Sequence, residues 1–433
     1  MISKKKLGYR LFGLTFSLFR LCPVFRNKTF LIATHDDSPE GNIALAAKAI
    51  KRRRPKMRFI YLRNKSEGLK NPFSFFFVKA FHMATSSVIL LDDTFLPMAY
   101  TPISKKTRVI QLWHGTGTIK RFGPEVERGE LQKLAIRGNW RITTFAVNGK
   151  RTKKQYAQAF CINPKRIRIT GLPRTDLILD RAAMQAKKKE FYAWCRFKHA
   201  DRYRYILYAP TFRDSEVDKS RITMDIERVM SELPEDVILM LRLHPHVAKA
   251  LRERGETGGM GDVREHLVAS GVEATAQETS TDKRKMIYRV IDVSGYRGVT
   301  TLLSVADVLI TDYSSIIFEY VVTKKPMIFY AYDLDDFREN GRDFYEPYED
   351  FVPGPVVRDE AGLIREINAA MGEAENRDVY GATEGAAENS RSEEITEAFI
   401  SDNFKYLDGH AAERIADIAF GTVSRQYARK NRI

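Results

Sequence analysis

Polar residues stand at the ends of short apolar runs throughout this 433-residue chain. Such runs read as buried parallel strands, and ligands of such sheets bind beyond the carboxyl ends of the strands. His114 ends VIQLW and leads into GTGT. An imidazole there, with an ordinary pKa of about 6.5, can take a proton at neutral pH. It can equally be no more than a strand cap. Gly115 and Gly117 let the backbone turn tightly and present N–H groups to an anion. The segment is not a P-loop, because GK[ST] is missing at the required spacing.

Cations and hydroxyls recur at later strand ends. Arg174, in GLPRTD, can hold a phosphate bidentately, or pair at the surface with Asp176. In PTFRD, Pro210 fixes a turn, Thr211 offers a hydroxyl, and Arg213 adds a further anion contact. Arg242 and His244 close VILMLRLHPH; residues two apart in an extended strand share a face and can reach one ligand. A zinc site on His244 and His246 lacks HExxH, histidine–cysteine spacing and a nearby carboxylate, and is set aside. In DYSSIIFEY, Ser314 and Ser315 stand where a helix should begin, a place that suits a phosphate. Glu319, one turn on, can accept hydrogen bonds from ribose hydroxyls. Simple N-caps and a solvated glutamate are the alternative. Asp333-Leu-Asp335 reads as a loop with caps, not a DxD metal site.

These residues need elements to carry them. TFLIAT (29–34), MRFIYLR (57–63), SSVILLDD (86–93) and TRVIQLWH (107–114) read as strands, with a helix over 41–53. A second series runs through RIRITGLP (166–173), YRYILYAP (203–210), DVILMLRLHP (236–245), YRVIDV (288–293), ADVLITDYSS (306–315) and KPMIFYAYD (325–333). Two series predict an α/β protein of two facing, doubly wound Rossmann-type domains, 29–165 and 166–395, with a helical closing segment over 396–433. Residues 252–285 and 372–395, polar and without periodicity, read as surface excursions.

The net charge of +16 calls for an anionic partner. Lys4, Lys5, Lys6, Arg10, Arg20, Arg26 and Lys28 all precede the first acid, Asp36, and LFGLTFSLF separates Arg10 from Arg20. Nine uncharged residues are too few to span a bilayer, and no cleavage site of a signal peptide follows. Residues 1–28 are expected to form a basic, amphipathic helix in a membrane interface; a helix packed on the protein's own core is the alternative. The three scattered cysteines exclude a disulfide framework. No nucleic-acid motif is present.

In order, QLWHGTGTIKRFG (111–123), ITGLPRTDLIL (169–179), ILYAPTFRD (206–214), LRLHPH (241–246) and ADVLITDYSSIIFEYVVTKKPMIFYAYDLDDF (306–337) resemble the CDP-glycerol:poly(glycerophosphate) glycerophosphotransferases of teichoic acid synthesis. ATHDDSPEGN (33–42) and LLDDTFLPMAY (90–100) look like that family's N-terminal half. The resemblance implies a GT-B-like fold. It also implies transfer of glycerol phosphate from CDP-glycerol to a lipid-linked glycerophosphate acceptor, with release of CMP, at the inner face of a bacterial plasma membrane.

On that resemblance His114 is the general base, and Gly115, Thr116 and Thr118 belong to the associated donor loop. Arg174, Thr211, Arg242 and His244 match positions that hold the diphosphate, with His244 stabilising the leaving phosphate. Ser314 and Ser315 match a phosphate-binding helix start, and Glu319 replaces an aspartate at the ribose. Cationic groups and a helix N-terminus can stand in for a metal, so no cofactor is expected. Gly117 replaces an expected proline, and 252–285 is longer than expected. A ribitol-phosphate or other nucleotide-activated transferase is the nearest alternative, and a non-catalytic polyanion-binding protein the more distant one. Oligomeric state, a homo-oligomer included, is open.

Overall fold

The computed structural model describes residues 2–63, 70–195, 199–211, 213, 222–244, 247–248, 289–341, 343–380 and 388–421. His246 and the 252–285 excursion lie outside the described residues, as does 381–387 of the second excursion. The chain forms two units, residues 1–179 with 401–433, and residues 180–400.

The first unit is a six-stranded parallel sheet. Its strands are β1 (Phe25–Ile32), β2 (Arg58–Leu62), β3 (Ser86–Leu91), β4 (Arg108–Gln111), β5 (Thr144–Val147) and β6 (Ile167–Ile169), in the order β2-β1-β3-β4-β5-β6. Alternation along the strands sorts side chains to the two faces. Phe30, Ile32, Ile89 and Leu91 enter one core, while Leu31, Ala33, Val88 and Leu90 enter the other. Helix α1 (Ile2–Phe19) covers the first face with Phe12 and Phe16, both fully buried. Its Gly13 runs so close to Tyr100 that an added Cβ would lie 2.5 Å from that residue's Cβ. Helix α2 (Asn42–Arg53) and the returning helix Ala411–Phe420 cover the second face, with Ile43, Ile50, Ile415 and Ala416 in one cluster.

The N-terminal segment is therefore not a separate body. One of its faces is core, as the alternative sequence reading had it, and the other is exposed. Leu7, Leu11, Leu14 and Leu18, spaced as one helical stripe, face outward, Leu14 and Leu18 with 69% and 61% exposure.

The second unit is another six-stranded parallel sheet, of β7 (Arg204–Ala209), β8 (Val237–Leu241), β9 (Val290–Asp292), β10 (Val308–Thr311), β11 (Met327–Tyr330) and β12 (Val356–Val357). The order is β12-β11-β10-β7-β8-β9. Strand 166–169 does not begin this sheet, as the sequence suggested, but closes the first beside β5, pairing Phe145 with Ile167. It is three residues long with an exposed centre, so nothing in its pattern says which sheet it joins.

The winding reverses at one place in each sheet, and the crevice outside such a switch point is where ligands bind. In the first unit it lies between β1 and β3, in the second between β7 and β10.

Candidate active site

The loops after β1, β3 and β4 converge at the switch point of the first unit. Trp113 adopts φ +55°, a left-handed conformation that costs a bulky residue about 1–2 kcal/mol. Its surroundings hold it there. The Gln111 side chain accepts its N–H (2.9 Å), the Asn42 amide donates to its carbonyl (3.2 Å), and the indole packs edge-on against Phe160 (4.6 Å). The strained residue delivers the next one, His114, to the end of β4. His114 Nδ1 lies 3.0 Å from the Asp92 carbonyl oxygen, which can only accept. The proton therefore sits on Nδ1 and the lone pair on Nε2, the tautomer a base requires.

Asp92 has a second task. Its buried carboxylate accepts the N–H groups of Thr34 (3.0 Å), His35 (3.3 Å) and Asp36 (3.0 Å), fixing the loop after β1. Burial pushes its pKa up to about 6, against those three bonds, which pull it down. The His35 ring lies on His114, centroids 3.6 Å apart and planes 10° apart. Sequence reading gave no role to His35, Asp92 or Asn42. The available signal was that each stands at a strand end or helix start beside the reversal of strand order.

The GTGT loop is tied down from inside. Tyr156 donates to the carbonyls of Gly115 (2.8 Å) and Gly117 (3.4 Å), and Asn148 donates to that of Thr116 (2.8 Å). A Cβ on Gly115 would lie 3.3 Å from the Gly117 oxygen and 3.4 Å from the Tyr156 hydroxyl, a tight fit that favours glycine without a positive φ. Thr116 and Thr118 are buried, and the Thr118 hydroxyl donates to Lys120 (2.6 Å). These two threonines shape the loop rather than line an open surface.

Arg174 belongs to this first unit. It is buried, its guanidinium pairs with Asp36, and its N–H donates to Asn42 (3.0 Å). Asp176, the partner considered from sequence, accepts instead the N–H groups of Ala411 (2.9 Å) and Ala412 (2.8 Å). Residues two apart on a helix point to different sides, which separates Arg174 from Asp176.

In the second unit the switch point carries Thr211, Arg213 and the loop after β10. The Thr211 N–H donates to Asp312 (2.8 Å), while its buried hydroxyl has no partner among the described residues. Arg213 is buried between Asp312 (2.9 Å) and Asp333 (2.7 Å), with Tyr313 beneath its guanidinium (4.9 Å). Burial alone would lower its pKa, but the two carboxylates hold it above the ordinary value. The arginine that the sequence offered as a further anion contact is thus paired internally with two carboxylates. Asp333 starts the helix Leu334–Asn340 as a loop residue, but its carboxylate goes to Arg213 and the Tyr313 hydroxyl (2.9 Å) rather than to a cap.

β8 ends at Leu241, so Arg242 and His244 lie beyond the strand and the shared-face rule lapses. Arg242 donates to the carbonyls of Val293 (2.8 Å), Ser294 (3.2 Å) and Tyr296 (2.6 Å), while His244 is exposed. The helix after Ser315 is only Ile317–Tyr320, too short for much of a dipole. The Ser314 hydroxyl accepts the Ile316 N–H (3.3 Å), as a capping serine does, and Ser315 is exposed. Glu319 is buried, not solvated. Pro210 follows β7, half-buried.

Two doubly wound parallel sheets, each with polar loops at its switch point, define a GT-B-like fold. The chain belongs to the CDP-glycerol:poly(glycerophosphate) glycerophosphotransferase family, which it matches over residues 14–274 and 274–421. It is 29% identical over 422 residues to the teichoic acid ribitol-phosphate primase of Bacillus spizizenii, covering 94% of each chain. It is 29% identical over 420 residues to the teichoic acid poly(ribitol-phosphate) polymerase of the same organism, covering 95% of this chain but 59% of the relative. The fold is that of the wall teichoic acid polymerase TagF, in its H548A variant: TM-score 0.70, 21% identity, 98% of this chain and 95% of the other.

Proposed function

We propose that the chain transfers glycerol phosphate from CDP-glycerol to the terminal hydroxyl of a lipid-linked glycerophosphate acceptor, releasing CMP. The observation that carries this reading is the His114 Nδ1 bond to the Asp92 carbonyl, which leaves the lone pair on Nε2. Nε2 takes the hydroxyl proton as the acceptor oxygen bonds to the β-phosphorus. The bond from that phosphorus to the CMP oxygen breaks, and CMP leaves with the electron pair. Thr211, His244, Ser314 and Ser315 are the groups assigned to the donor phosphates, and Glu319 to its ribose. A ribitol-phosphate transfer is the second reading, favoured by the ribitol-phosphate primase matched over 94% of each chain.

CMP release from CDP-glycerol and CDP-ribitol, with and without acceptor, tests the proposal. Acceptor-dependent release with CDP-glycerol is expected. Release with CDP-ribitol alone would replace the donor, and release with neither would refute the transfer.

The partner surface is assigned to the cytoplasmic face of an anionic membrane. Among the described residues no helix is long and apolar enough to cross a membrane. The outer stripe of α1 has exposed Lys5 and Arg10 beside it, and the segment packed on α1 through Phe75 also exposes Phe73 and Phe77. Such a face lies in the interface, with leucines in the acyl boundary and cations at the headgroups. Leu14→Glu/Leu18→Glu should reduce co-sedimentation with phosphatidylglycerol vesicles at least about tenfold, since each buried leucine contributes roughly 2 kcal/mol. Undiminished sedimentation would remove α1 as the contact.

A further inference from the structure

We propose that His35 is a positioning residue for His114, closing the outer face of its ring so that only the Nε2 edge is presented; this rests on the reading of His114 as the base. The rings beside His114 are Trp113, at a centroid distance of 4.1 Å and 29° between planes, and His35, at 3.6 Å and 10°. Two rings so near and so parallel to a third can only occupy its opposite faces. His114 is thus held between an inner, buried indole and an outer, exposed imidazole.

The need for a second face follows from the torsion. The χ2 rotation of histidine is broad and roughly two-fold, so rotating the ring would trade the nitrogen edge for carbon. One hydrogen bond to a carbonyl contributes only about 0.5–1.5 kcal/mol net, too little to hold the ring alone. A stacked ring contributes a similar amount and blocks the rotation sterically. The outer ring also meets the moment of reaction, because the imidazolium formed on His114 lies against a π face at 3.6 Å. Parallel stacking offers no hydrogen bond between the rings, so His35 does not relay the proton.

One residue builds both halves of this arrangement. The Asp92 carbonyl accepts from His114, and the Asp92 carboxylate accepts from the backbone of residues 34–36, which carries His35. The two histidines are 79 positions apart in sequence but referenced to one aspartate at the β1/β3 switch point.

The test compares His35→Ala, His35→Phe and His114→Ala in the full chain. Histidine-labelled NMR reads the His114 ring, assigned by its loss in His114→Ala, and steady-state CMP release is measured alongside. His35→Ala should shift the His114 ring resonances and lower kcat about tenfold, with KM for CDP-glycerol within about twofold. His35→Phe, which keeps a flat ring on that face, should restore most of kcat. Unchanged kcat and unchanged resonances in His35→Ala, with His114→Ala inactive, would overturn the positioning role and leave the base reading intact. Full turnover by His114→Ala would remove the base reading, and the inference with it.

Discussion

At the switch point of the first unit, a histidine is oriented by a main-chain carbonyl and stacked between two rings. At that of the second, the most conspicuous cation, Arg213, is matched to two carboxylates and an aromatic face. Both places looked alike as sequence: an apolar strand, then a charged or titratable residue. They differ in what the surroundings leave for a ligand. The first arrangement fixes a tautomer and leaves a lone pair directed; the second consumes a positive charge. Arg242 is tied differently: one guanidinium nitrogen donates to three neutral carbonyls, which leave its charge in place. Both arginines thus tie loops of the second unit together.

Arg213 is where the comparison can be broken most forcefully. Arg213→Ala would leave Asp312 and Asp333 as uncompensated carboxylates, and should lower the stability of the second unit by about 3–5 kcal/mol in urea unfolding. Arg213→Lys, which keeps charge but loses the fork, should fall between. A change below about 1 kcal/mol for the alanine variant would mean that the arginine is not a brace.

Tyr156 sharpens the other side. Tyr156→Phe removes the donor to the Gly115 and Gly117 carbonyls, so a loss of about 1–2 kcal/mol is expected in thermal unfolding, with lower kcat. Unaltered kcat would show that the GTGT loop needs no internal tie.

Asp176 gives an effect that appears only as pH changes. Burial raises its pKa to about 6 from an ordinary value of 3.8, outweighing the two N–H bonds from Ala411 and Ala412. A raised native pKa means that the folded state binds the extra proton. This contribution is complete below about pH 4 and lost as pH rises through about 6. Between those values wild type should lose stability relative to Asp176→Asn by up to about 1 kcal/mol per pH unit. Parallel pH profiles would contradict the raised pKa.

Most strands were legible because runs such as VILML and VLIT have no polar alternative, and polar residues mark their ends. β5 and β12 were not, since TFAV and VV carry too little apolar length to stand out. His114 was legible from its place after a strand. His35 and Asp92 were not, because their meaning lies in pairing across 57 and 79 positions, and no local pattern encodes which loops the winding brings together. Separations of 99 and 120 positions likewise hid Asp312 and Asp333 from Arg213.

The most direct measurement is single-turnover CMP release by His114→Ala at saturating CDP-glycerol with acceptor present, alongside donor affinity by calorimetry. Release should fall at least about a hundredfold while donor affinity stays within about twofold of wild type. Wild-type turnover at saturation, with only donor affinity lost, would contradict His114 as the base.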